Sequence, residues 1–229
     1  MGEQAQNELE HIRKLIAQVC TVESEPDGIE FDGKSVRVAR IKEDAGYEGV
    51  RVRFRATLAR ARIPMQIDIG FGDVITPGAV EIEYPTLLRF PAPVLQAYPR
   101  ETVIAEKLEA LTALGTLNSR MKDYFDLWAL SRIYSFEGSI LVRAVNATFA
   151  RRNASVESSP VGLEEEFALS QEKSEQWNAF THRARLVTAP IRFAEVVFAV
   201  RVFAAPVLSS AASGNPFNRN WQPGGPWSA

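Results

Sequence analysis

Cysteine, histidine and recognisable catalytic motifs are scarce in this 229-residue chain, which has one cysteine and two histidines. A lone cysteine closes no intrachain disulfide, so Cys20 fits a reducing compartment. Its apolar helical context, "IRKLIAQVC", points to a structural thiol rather than a nucleophile. His11 and His182 lie too far apart in sequence to suggest a zinc-ligand spacing or a Cys–His pair. There is no Walker loop, no GxGxxG and no HExxH. Charge of one sign is not in excess: the net charge is −2. That removes a global electrostatic drive toward nucleic acid or membrane and leaves room for a local basic patch. The first residues are charged and lack an apolar signal core. No uninterrupted apolar window reaches the length of a bilayer span. The expectation is a cytoplasmic protein without membrane contact.

With 46% hydrophobic and 24% charged residues, the composition is globular and can bury a core. Residues 4–20 carry Leu9, Ile12, Ile16 and Cys20 at helical spacing. The period then changes. "GIEFD", "SVRVARI", "GVRVRFRATL" and "PMQIDIGFG" read as strands punctuated by Gly33 and the Gly46/Gly49 pair. Arg51, Arg53 and Arg55 alternate with Val52 and Phe54, which predicts one buried and one basic, solvated face. The proline-punctuated stretch up to Pro99 reads as a connection with short strands. Residues 100–115, 119–134, 138–150, 162–179 and 192–204 read as helices. The last two dozen residues lack periodicity and predict a tail that is flexible or hugs an edge. This order gives an α+β fold, with an α/β part over 1–98, a helical part over 99–205 and a tail over 206–229.

Three features could carry chemistry. Asp68 interrupts an apolar strand and is followed by Asp73, and a buried carboxylate needs a partner or a metal. The plainer alternative puts Gln66, Asp68 and Gly70 on the exposed face of an edge strand. Lys107 interrupts an apolar helical stripe, either as a snorkelling lysine or as a fixed charge for phosphate. In "NSRMKDYFDLWAL", Asp123 and Asp126 are i and i+3, and Lys122 and Asp126 are i and i+4. Early carboxylates suit a helix N-terminus. Asp126, pressed toward the core by Leu127 and Leu130, calls for a cation from the preceding helix, Lys107 or Arg100.

Together, "GYEGVRVRFRATL", "IPMQIDIGFGD", "EYPTLLRFPAPVLQAYPRETVIAEKLEAL" and "NSRMKDYFDLWAL" resemble the AbiEii/AbiGii-type nucleotidyltransferase toxins, within the polymerase-β-like superfamily. The resemblance spans about residues 30–205. It implies a small mixed sheet followed by helices. It also implies Mg²⁺-dependent transfer from a nucleoside triphosphate (NTP) to an RNA or protein acceptor, in a toxin–antitoxin or phage-defence setting. Carried over by position, Asp68 matches a metal-binding catalytic carboxylate and Lys107 a triphosphate-binding lysine. Lys122, Asp123 and Asp126 match the K-D-x-x-D motif, with Lys122 toward the nucleotide and both aspartates catalytic. A cognate antitoxin and an RNA acceptor are the implied partners.

One departure is plain. The family's Gly-Ser turn and Asp-x-Asp strand have no counterpart, since no D-x-D occurs in the chain. The expectation is a truncated or degenerate member, inactive or weak, with an exposed sheet edge open to self-association. The alternatives are a competent enzyme with a metal site rebuilt from Asp68, Asp73 and the K-D-x-x-D carboxylates, a nuclease using Asp68, Glu106 and Lys107, and a non-catalytic antitoxin-binding protein.

Overall fold

The computed structural model describes residues 2–42, 48–190 and 192–229. Gly46 lies outside the described residues. The fold is α+β, as expected, in two compact units, Met1–Asp73 and Val74–Ala229.

The first unit is a helix on a sheet. Helix α1 (Gly2–Val19) lies on an antiparallel sheet of β1 (Ile29–Lys42), β2 (Glu48–Leu58) and β3 (Ala61–Gly70), in the order β1-β2-β3. "GIEFD" and "SVRVARI" join into the single strand β1, with a register shift between Asp32 and Arg37. Local hydrogen bonds cause it. The Lys34 N–H donates to the Asp32 carboxylate at 3.1 Å, and the Ser35 hydroxyl donates to the Asp32 carbonyl at 2.7 Å. These lift the chain out of the ladder for a few residues. Val36, Val50, Val52 and Phe54 form the buried face, and Leu9, Ile12, Ile16 and Cys20 of α1 cover it. Burial pushes the Cys20 thiol above its ordinary pKa, and the Asp32 charge adds to this. That favours the inert thiol form.

The second unit begins 25 residues before the expected boundary at 98/99. A hairpin of β4 (Val80–Glu83) and β5 (Val94–Ala97) leads into α2 (Arg100–Leu114). The buried Thr102 hydroxyl accepts from the Thr76 N–H and donates to the Thr76 carbonyl, both at 2.9 Å, which ties this segment to the helices. Then come α3 (Met121–Ile133), β6 (Phe136–Glu137), α4 (Gly138–Arg151), α5 (Glu165–Leu169), α6 (Gln171–Ala184) and α7 (Phe193–Ser213). The single helix expected over 162–179 is broken at Ser170, whose ψ of 132° is extended. The break lets Phe167 and Trp177 both reach the core.

Helix α7 corrects two expectations. It continues past residue 204, through Pro206, to a left-handed Gly214 whose N–H returns to the Ser210 carbonyl. It is also long and apolar enough to cross a bilayer by length and composition. Glu195 and Arg201 interrupt its apolar run, so an uninterrupted-window criterion passes over it. In this unit Val196, Val200, Phe203 and Val207 are buried against α3, α4 and α5.

Of the two expectations for the tail, flexible or edge-hugging, the structure shows the second. Strands β7 (Asn220–Trp221) and β8 (Trp227–Ser228) extend β6. Trp221 is buried and donates its indole N–H to the Ser131 carbonyl at 2.6 Å. Trp227 stacks on Phe203, and Phe217 fills the space beside Gly138 where a Cβ would clash. Isolated aromatics, not periodicity, anchor this segment. Trp221→Ala should therefore lower stability by about 3–5 kcal/mol. Denaturant titration of the full chain measures this, and an unchanged midpoint would contradict a load carried by the C-terminal segment.

Candidate functional site

Helices α2 and α3 bring the charged residues together. On α2, Ile104, Ala105, Leu108 and Leu111 face the core. Lys107 falls at the edge of that face, with its side chain 15% exposed. Between the helices the buried Asn118 accepts the Arg120 N–H at 2.9 Å on its side-chain oxygen and so shapes the start of α3. Helix α3 then commits Tyr124 and Leu127 to the core, which places Asp123 and Asp126 together on the flank facing α2.

The Lys107 ammonium lies 2.7 Å from Asp123 Oδ1 and 2.8 Å from Asp126 Oδ2. Lys122, largely exposed, reaches Asp126 Oδ2 at 2.6 Å. Two cations and two anions make the quartet neutral. Burial works against the Lys107 charge, but hydrogen bonds to Asp123 and Asp126 outweigh it and raise its pKa above the ordinary lysine value. Beneath this layer Tyr124 donates its hydroxyl to the Gly162 carbonyl at 3.0 Å. Burial, helped by the Asp123 charge, pushes the Tyr124 phenol far above its ordinary pKa. A Cβ at Gly162 would meet both Leu111 and the Tyr124 hydroxyl at 2.7 Å, so this glycine is needed for the close approach. Nothing in the sequence pattern singled out Gly162, whereas Asn118, just before α3, is a residue type that suits a helix start.

Asp68 lies in the other compact unit. Among the described residues its strand, β3, is an edge strand rather than a central, buried one, and Asp68 is on the exposed face. Arg51 sits directly opposite in the ladder and grips it with two hydrogen bonds, Nε to Oδ1 at 2.8 Å and Nη2 to Oδ2 at 2.9 Å. Gln66 adds a third at 3.2 Å. The bond to Arg51 is the main cause of a carboxyl pKa below the ordinary value. The plainer reading of this strand, with Gln66, Asp68 and Gly70 exposed, is the one observed.

These donors do not suit a divalent metal. Among the described residues no group of three or more His, Cys, Asp or Glu side chains gathers to hold one. Asp68 is taken up by Arg51, and Asp123 and Asp126 by Lys107. The Glu106–Lys107 nuclease pairing fails on geometry. Adjacent helical positions diverge, and Glu106 turns to Arg152 on α4 at 3.1 Å.

A family model described as nucleotidyl transferase AbiEii toxin, Type IV TA system, matches residues 2–199. No curated protein and no solved structure matches the chain.

Lys107→Met should destabilise the protein by about 3–5 kcal/mol, because it strands two part-buried carboxylates. Asp126→Asn should cost less, about 1 kcal/mol, since Asp123 still holds Lys107. The folded Lys107 pKa lies above the unfolded value near 10.5. Its stabilisation is therefore fully present below that pH and is lost as pH rises through the folded value. Denaturation of wild type and K107M should show a constant gap at neutral pH that narrows in strong alkali. Equal losses for both variants would contradict the shared clamp.

Proposed function

The chain belongs to the nucleotidyl transferase AbiEii toxin family, and on that premise we propose that it is a toxin in a phage-defence setting that recognises an RNA acceptor in the cytoplasm and, by itself, transfers nucleotide weakly or not at all. Type IV toxin–antitoxin membership implies a cognate antitoxin as partner. Enzymes of this class generally depend on an NTP and a divalent metal.

One observation carries the weak-transfer reading. The carboxylates matched to the reaction, Asp68, Asp123 and Asp126, are each already engaged by a cation of the chain. Paired Mg²⁺ ions need carboxylates free to bridge them, and no Asp-x-Asp is present to supply them. Lys107 is similarly engaged. A neutral Lys107–Lys122–Asp123–Asp126 quartet attracts a triphosphate far less than an unpaired lysine would.

A second reading, a non-catalytic antitoxin-binding protein, is favoured by the β4–β5 hairpin. Val80, Ile82 and Leu95 are exposed on one face of it, and Leu87 and Leu88 are exposed in its connection. Apolar surface of this kind suits a protein partner, or self-association of the chain.

Incubation with radiolabelled NTPs, Mg²⁺ and total RNA should give labelling close to background, unchanged in Asp68→Ala. Robust Mg²⁺-dependent labelling that disappears in D68A would overturn the weak-transfer reading and make Asp68 a metal ligand.

A further inference from the structure

The face of the β1–β2–β3 sheet turned away from α1 carries a charge pattern that the transferase reading leaves unused. Strand alternation puts Arg51, Arg53, Arg55 and Thr57 of β2 on this face, flanked by Glu30, Asp32, Arg37 and Ala39 of β1 and by Arg62, Pro64, Gln66 and Asp68 of β3. At its centre is an open depression of about 670 Å³, lined among others by Asp32, Lys34, Arg37, Arg53, Arg55 and Gln66. Of these four cations only Arg55 is balanced by a carboxylate, Asp32 at 2.9 Å. Among the described residues Lys34, Arg37 and Arg53 form no ion pair. Arg53 donates to the neutral Gln66 at 3.2 Å, and Arg37 donates to the backbone carbonyls of Lys34 and Val36.

Arg37 and Arg53 are direct cross-strand partners. Like charges directly opposite one another are unfavourable in a sheet. The neighbouring arginines on β2 show the usual remedy, Asp68 for Arg51 and Asp32 for Arg55. The central pair lacks it, although one acidic substitution at Gln66 would provide it. An anion shared by the two guanidiniums would turn this repulsion into attraction.

We propose that this face binds the sugar–phosphate backbone of a single-stranded RNA segment, the acceptor of the preceding section, so the inference rests on that reading. Successive outward arginines on one strand are about 6.6 Å apart, and neighbouring strands about 4.8 Å apart. The result is a row of planar forks suited to repeated phosphates. The depression is open rather than enclosed, which suits an extended chain better than a small anion. Phe54 also lines the depression but is buried, and the outward positions named above on β1, β2 and β3 include no aromatic residue, so recognition is of the backbone rather than by base stacking, independent of sequence.

The test is fluorescence anisotropy of a labelled, mixed-sequence, single-stranded 20-nucleotide RNA with the full chain, at low salt, without NTP or Mg²⁺. The double variant Arg37→Gln/Arg53→Gln should bind about tenfold more weakly and reduce the salt slope by about 1.4, the value for two lost single-strand phosphate contacts. Arg37→Lys/Arg53→Lys should retain most of the affinity. Arg183→Gln/Arg185→Gln removes the same charge from exposed positions of the other unit and should bind as wild type. R37Q/R53Q should melt at or above the wild-type temperature, because it relieves a like-charge contact. If it does not fold, Arg53→Gln alone should show half the slope change. The inference is overturned if R37Q/R53Q binds as wild type, if R183Q/R185Q loses as much, or if poly-glutamate of matched charge displaces the RNA equally well. Because binding is read without turnover, RNA binding without nucleotide transfer agrees with the earlier reading, and robust transfer would sink only its weak-transfer side. RNA-directed transfer that is indifferent to R37Q/R53Q sinks only this surface.

Discussion

The ammonium of Lys107 held between Asp123 and Asp126 is the contact on which the helical unit depends. Helix α3 is apolar on most sides, with Tyr124, Leu127 and Ser131 buried and Phe125, Trp128 and Leu130 packed against the core. Two carboxylates at its start would be untenable in that setting without an opposing charge. Lys107 supplies it from α2 and takes its place at the rim of the core in exchange. The clamp also fixes the separation of α2 and α3, and with it the slot in which the Tyr124 hydroxyl meets Gly162. Charge and packing here are one constraint: moving Lys107 toward a ligand would leave both aspartates short of a partner.

On the sheet of the first unit the same chemistry works at lower stakes. Arg51–Asp68 and Arg55–Asp32 are exposed to solvent, and exposed pairs of this kind contribute little to stability. Their importance lies in contrast. They show that the open face balances arginines where it can, which makes the unbalanced Arg37–Arg53 pair informative.

Much of the local structure was legible in the sequence. The stripe of Leu9, Ile12, Ile16 and Cys20 became the packed face of α1. The alternation around Arg51, Arg53 and Arg55 became a buried face and a basic one. The i,i+3 and i,i+4 spacing predicted the Asp123, Asp126 and Lys122 cluster, and the demand for a cation from the preceding helix was met by Lys107. What failed depended on tertiary context. An acid in an apolar-looking strand reads as buried only if the strand is central, and alternation cannot reveal that β3 is an edge. A tail of Ser, Gly, Asn and Pro leaves flexible and edge-hugging readings both open because its three anchors, Phe217, Trp221 and Trp227, follow no period. The long α7 was hidden by two charges and a proline, all accommodated inside it.

The two units thus treat charge in opposite ways. The K-D-x-x-D segment forms a neutral, part-buried quartet with Lys107. A divalent ion placed there would meet an ammonium within about 3 Å of the same oxygens, and at such distances repulsion persists even at high effective dielectric. Either the lysine or the metal must leave, and the lysine is tethered to a core helix. The exposed arginines of the sheet face no such conflict. Their repulsion is relieved by any phosphate that arrives and restored when it departs. A neutral clamp serves to hold two helices together, whereas an unbalanced basic face is suited to reversible capture of a polyanion.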